Sequence, residues 1–257
     1  MKLQRRFISD TFSTLKEIRC MRTRRFLSLS IVSFMTLAST EYLVACGSGN
    51  LFENAVERSD SEKAQAALES GDVDSAISTL EEYLKKNPND ATARSMLANA
   101  YLKKTGVDLL KIGNSVSSGS EGKSDWAAVS GVLPSGTAAN VDGMKAAVDA
   151  LKSIPATQRT DEQNYQLAIA QTTLAITVAK KASGDDSGKL SDEKVDQMSD
   201  SDALTIYNAL QGSKEASGAM QTQNDGLSKV GSFADKVDQQ PGSTPEERLR
   251  NFLKSQN

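Results

Sequence analysis

Beyond residue 57 the apolar side chains recur three and four positions apart, the spacing of helices that bury one face. Ala64, Ala67 and Leu68 predict a helix over 62–69, broken by Gly71-Asp72. Ala76, Ile77, Leu80, Tyr83 and Leu84 predict a second over 74–86, ended by Asn87-Pro88 because proline cannot continue a helix. Ala93, Leu97, Ala98 and Tyr101 predict a third over 91–103, interrupted at Gly106, and 107–116 begins a fourth. The Gly/Ser-rich stretch 117–123 reads as a loop. A short helix over 125–132 follows, capped by Ser124 and stopped by Pro134. It carries Trp126, the one tryptophan of the chain, either as a plug over an interhelical gap or as a partner contact.

Val141, Met144, Val148 and Leu151 predict a helix over 140–154, closed by Pro155. Thr160 and Gln163 form a capping-box pair that opens the most hydrophobic helix, 161–182. Its apolar residues cover more than one face, which places it at the centre of a domain. The competing reading has Tyr165, Leu174 and Ile176 line a lipid groove. The C-terminal third continues with helices over 202–220 (Leu204, Ile206, Tyr207, Leu210) and 225–237 (Leu227, Val230, Phe233, Ala234, Val237). After Pro241-Gly242, Thr244-Pro245-Glu246-Glu247 starts a last helix presenting Leu249, Phe252 and Leu253. The expected fold class is all-α: antiparallel helical hairpins in a solenoid or bundle.

The residues at 57–116 resemble the tetratricopeptide repeat, whose units alternate two antiparallel helices over 34 residues. In one register Ala64 takes the small position of the first helix, Gly71 the turn, Ala76 the small position of the second helix, Leu80 and Tyr83 its apolar face, and Pro88 the closing proline. In the next unit Leu97, Ala98 and Tyr101 take first-helix positions, and Gly106 the turn, shifted by one. The large aromatic near the start of the first helix is missing from both units. The resemblance implies a surface that binds peptide or helix segments. Two repeats cannot bury a solenoid core, since about three are needed, so 117–257 is expected to pack on them.

Upstream the pattern changes. Arg22, Arg24 and Arg25 precede an uncharged apolar stretch from Phe26 to Ala38. Such a stretch spans ~20 Å as a helix, short of a ~30 Å hydrocarbon core, and fits a secretory leader. Glu41 sits awkwardly near its end. The segment closes on Leu43-Val44-Ala45-Cys46, which resembles the lipobox of bacterial prolipoproteins. The resemblance implies peptidase recognition at Leu43, Val44 and Ala45, cleavage before Cys46, and a covalent lipid on Cys46. Residues 21–45 are then the signal peptide, and 46–56 the lipidated cysteine and tether. Residues 1–20 are a start assigned too early or a cytoplasmic extension. Gly47 rather than Asp at the second mature position resembles an outer-membrane address.

Residues 1–46 hold 8 of the 30 lysines and arginines and 3 of the 33 acids, which leaves 22 basic and 30 acidic groups, net −8, on the remaining 211 residues. That balance argues against nucleic acid, which requires a basic footprint. With no histidine, and with Cys20 and Cys46 both upstream, His-based triads, thiol nucleophiles and the usual zinc sites are excluded. No carboxylate or Ser–Lys constellation stands out either, so no enzyme, resident metal or cofactor is expected. The stretch 183–194 brushes against a calcium loop through Asp185, Ser187, Gly188, Leu190 and Ser191. Ser183 and Lys194 occupy the positions where that chemistry needs acids, so it reads as a solvated connection. The combined expectation is a lipid-anchored, periplasm-facing scaffold for a protein partner. The alternative is a periplasmic accessory protein of a transporter that binds a small molecule or lipid, and an envelope hydrolase using carboxylates is a third class.

Overall fold

The computed structural model describes residues 59–108, 111–112, 125–186, 190–221 and 225–256. The chain divides into Met1–Val56 and Glu57–Asn257, and everything below concerns the second unit. The leader, Leu43, Val44, Ala45, Cys46 and the tether lie outside the described residues, as does Ser124.

Among the described residues there are ten α-helices and no strand. They are α1 (Asp60–Ser70), α2 (Val73–Lys86), α3 (Ala91–Lys104), α4 (Asp125–Ser130), α5 (Ala138–Lys152), α6 (Asp161–Ser183), α7 (Asp192–Gln197), α8 (Asp200–Gly218), α9 (Asp225–Asp238) and α10 (Pro245–Lys254). Their boundaries follow from side-chain caps. Ser59, Thr160 and Thr244 each accept from the backbone N–H three residues on, where Glu62, Gln163 and Glu247 reach back to the cap N–H. These reciprocal bonds satisfy donors that a helix start leaves orphaned. Asp72, Asp90, Thr137, Ser191 and Ser199 cap α2, α3, α5, α7 and α8 by one side-chain bond each. No helix of the described residues is long and apolar enough to cross a membrane.

The helices pack in a row, α1–α2–α3–α5–α6–α8, with α9 and α10 against α8 and α9 also against α6. The row alternates in how its helices end. Just past α1, α3 and α6 stand Gly71, Gly106 and Gly184, all left-handed at φ 84°, 79° and 68°, a conformation in which a Cβ is penalised. Helices α2, α5 and α8 end on Asn87, Ser153 and Ala219 instead. The row is thus three hairpins: α1/α2, α3/α5 and α6/α8. In the second, Thr105 past the end of α3 meets Met144 midway along α5 (Oγ1 to Sδ 3.9 Å). In the third, Lys181 pairs with Asp202 at one end (3.8 Å) and Asp161 accepts from the Gln221 N–H at the other (3.2 Å). The third hairpin is therefore antiparallel.

Two expectations need correction. The second helix of the second hairpin is α5, from residue 138, and does not begin at 107. After Gly106 the chain leaves the helix, the Val107 N–H closing back on the Leu102 carbonyl (3.0 Å), and it is helical again at 111–112, where the Ile112 N–H bonds the Asp108 carbonyl (3.1 Å), so only the pairing expected for 107–116 is corrected. The connection at 183–194 is not a bare loop: Ser191 caps α7, and Leu190 and Val195 are buried. Leu204 on α8 is 39% exposed.

Two apolar clusters result. A small one joins Ala64, Leu68, Ala76, Ile77, Leu80, Ala93, Leu97 and Ala100 of α1–α3. A large one surrounds α6, which is buried on every side from Leu167 to Lys180, as expected of a helix apolar on several faces. Leu174 and Ile176 are packed inside it and line no groove.

Candidate partner-binding face

Helices α1, α3 and α6 lie side by side and run parallel. Ser61 Oγ donates to Met96 Sδ at 3.7 Å and Lys103 Nζ to the Leu68 carbonyl at 3.3 Å, each across 35 residues. That separation is one more than the 34-residue repeat, and Gly71 and Gly106 are spaced the same way. On the other flank Ser95 Oγ donates to Gln166 Oε1 (2.6 Å) and Gln163 Nε2 to the Ala91 carbonyl (3.3 Å). Parallel first helices joined edge to edge make a shared face. On α3, Thr92, Ser95, Asn99 and Lys103 fall on one side of the helix at helical spacing. Ser95 reaches α6, Lys103 reaches α1, and half-buried Asn99 between them makes no hydrogen bond to the described residues.

The residues singled out for packing are distributed around this face. Ala64, Ala76, Leu80 and Ala98 are fully buried and Leu97 nearly so, Tyr83 and Tyr101 are half-buried, and Gly71 and Pro88 lie exposed in turns. Ala64 and Ala76 sit where α1, α2 and α3 approach one another, and Ala98 faces the large cluster. The tyrosines hold the opposite side of the hairpins. Tyr83 donates to Asp90 Oδ2 (3.0 Å) and Tyr101 to Glu81, while Lys104 pairs with Asp74 (2.7 Å). Burial, then the Glu81 hydrogen bond, pushes the Tyr101 phenol up to about 12. The Ala93 N–H, then the Tyr83 hydroxyl, holds the Asp90 carboxyl below its ordinary value. The face residues Asn99 and Gln166 carried no sequence signal, because polar positions on a helix read as a solvated side.

A second concavity lies on α8, an open depression of about 680 Å³ walled by Lys152, Asn208, Gln211, Gly212, Lys214, Glu215 and Gly218. Two of its walls are already committed to α9: Lys214 pairs with Asp235 (2.6 Å) and Gln211 donates to Asp238 (2.9 Å). Among the described residues no group of three or more acids, cysteines or histidines is placed to hold a metal ion. Asp185 and Asp186 flank buried Lys180 instead.

No curated protein matches the chain. No solved structure matches it either. Residues 67–104 match the family model of the tetratricopeptide repeat, a stretch that runs from the end of α1 through α2 and α3 and so contains the small core cluster except Ala64, and most of the polar face.

Proposed function

We propose that this chain is an envelope lipoprotein that acts as a protein-interaction scaffold, binding an extended or helical segment of its partner across α1, α3 and the start of α6. The observation that carries this is the alignment of three parallel first helices with Asn99 unpaired among them, within a tetratricopeptide-type match. An amide with free donor and acceptor suits a polypeptide backbone, which offers both. A lipid on Cys46 supplies the membrane attachment, because a net charge of −8 after residue 46 gives no attraction to anionic lipid. The proposed location is the periplasmic side of the outer membrane. No nucleic acid, cofactor or catalytic step belongs to this reading. The carrier alternative requires an enclosed apolar cavity, whereas the depression on α8 is open and its lining is only about half apolar.

Two experiments test it. A photo-crosslinking residue at Asn99 should capture a protein in intact cells, and one at exposed Ser78 on α2 should not. Capture must also disappear when Asn99 carries the crosslinker and Ser95 is changed to Arg. Equal capture at both positions rejects the face. For the anchor, Cys46→Ser should abolish labelling by a fatty-acid analogue, and labelling that survives the change rejects the lipoprotein assignment.

A further inference from the structure

Between Gly-closed α3 and its partner α5 stand 33 residues, of which 105–108, 111–112 and 125–137 are described. Their second part, Asp125–Thr137, touches α6, α9 and α10. Trp126 is wedged edge-on between Phe233 of α9 and Phe252 of α10, with centroids 5.7 Å from each. Lys180 of α6 donates to the carbonyls of Leu133 (2.9 Å) and Pro134 (3.4 Å). The Gly136 N–H donates to Asp186 just past α6 (2.9 Å). Gly136 lies so close to α6 that a Cβ there would fall 2.2 Å from the Lys181 nitrogen.

The contact has an uncommon defect. On α4, Trp126 and Ser130 share a face at i, i+4. On α6, Thr173 and Thr177 share the face of Lys180, at i−7 and i−3. Of these groups only the Lys180 ammonium has a partner. Trp126 Nε1, Ser130 Oγ, Thr173 Oγ1 and Thr177 Oγ1 are all buried without a hydrogen bond. Buried polar groups are nearly always paired, because an unpaired one forfeits its hydration with nothing in return. A contact built for permanence would not leave two on α4 and two more on the Lys180 side of α6.

We propose that Asp125–Thr137 is a releasable strap, a self-occupant of the α6 face that a partner segment displaces. This rests on the scaffold reading and says what the partner brings. With the strap lifted, α6 offers two hydroxyls and an ammonium, all donors, beside the rings of Phe233 and Phe252. The matching occupant is a short segment with one aromatic side chain and, one to two helical turns away, carboxylates or free carbonyls that accept from Thr173, Thr177 and Lys180. Release needs no unfolding of the row, because α3 and α5 hold each other through their own contacts.

Trp126 is the single tryptophan, so emission reports the strap alone. In urea titrations of the full chain its red shift should come at lower concentration than the loss of helical circular dichroism, and coincident transitions overturn the proposal. Asp186→Ala touches no core residue and should raise acrylamide quenching of Trp126 roughly twofold with the helical signal intact. Unchanged quenching overturns it. Gly136→Ala should open the strap further. A fluorescein-labelled peptide of residues 125–137 should then bind that variant, or Asp186→Ala if the first does not fold, roughly tenfold more tightly than the unsubstituted chain, since a face occupied in cis lowers apparent affinity by its free fraction. Equal binding overturns self-occupancy. None of these readouts uses the envelope partner, so the crosslinking at Asn99 can fail while they succeed, and the reverse.

Discussion

Helices α1–α3 and the helices around α6 solve the same packing problem in different ways. The first group is small-residue packing: four of its eight core residues are alanine, backbones approach closely, and none of its side-chain polar atoms is both buried and unpaired. The second fills space with Trp126, Phe233, Phe252, Met144 and branched aliphatics. It leaves polar atoms on Trp126, Ser130, Gln171, Thr173 and Thr177 buried without partners. The alanine-rich part is therefore specified by fit, and the aromatic part by bulk apolar burial that tolerates polar defects. Fit suits a unit meant to be rigid under a bound partner, whereas defects suit a region meant to move.

The two regions should respond differently to substitution. Phe252→Ala removes a fully buried ring that touches Trp126 and should cost about 3–5 kcal/mol. The loss is expected throughout α4 and α8–α10, seen as faster amide exchange there, with α1–α3 least affected. Uniform loss would mean that both regions unfold as one and would erase the distinction.

Ala76→Leu probes the other side. Ala76 is fully buried between α1 and α3, and overpacking there should cost about 1–3 kcal/mol. Exchange should accelerate in α1–α3 while Trp126 emission stays unchanged. An unaltered melting midpoint would mean that this contact is looser than alanine packing implies.

Much of this contrast was legible in the sequence, and what escaped did so for identifiable reasons. Helix starts were readable wherever a Ser, Thr or Asp stands before a periodic run, as at Thr160 and Thr244. The small helix α7 was missed because its apolar content is Val195 alone, with Leu190 and Met198 packed from just outside it. The pairing of α3 with α5 was hidden by the insertion, although three glycines, Gly71, Gly106 and Gly184, mark the ends of α1, α3 and α6. Trp126 reads as a plug over an interhelical gap before it reads as a partner contact, but the rings it packs against lie more than a hundred residues downstream. Asn99 looks like any solvated polar residue until Ser95 and Lys103 are seen to commit to opposite neighbours.

Asp90 offers a smaller, pH-dependent effect within the alanine-packed region. It caps α3 through the Ala93 N–H at 2.9 Å and accepts from Tyr83 at 3.0 Å. Asp90→Ala should cost about 1 kcal/mol near neutral pH. Because folding holds this carboxyl below its ordinary value, chiefly through the Ala93 N–H, the charged form contributes stability that is fully present above the ordinary carboxylate range. The contribution is lost as pH falls through the lower folded value. Melting midpoints of Asp90→Ala and the unsubstituted chain should therefore converge in acid, and a gap that persisted would assign the cap's worth to packing rather than charge.

The smallest expected effect has the opposite sign. Thr177 is fully buried on α6 with its hydroxyl unpaired. Thr177→Val keeps the branched shape and removes the orphaned group, and deleting an unsatisfied polar atom is neutral to stabilising, by up to ~1 kcal/mol. The same exchange at Thr172 should destabilise, because that hydroxyl meets Ser213 Oγ at 2.8 Å and its loss leaves Ser213 with one partner fewer. The pair of variants separates two accounts of the polar positions on α6. If both valines destabilise alike, the hydroxyl of Thr177 has a partner in solution and the defect is not one. If Thr177→Val raises the midpoint and also slows urea-induced exposure of Trp126, the unpaired hydroxyl is part of what keeps the strap loose.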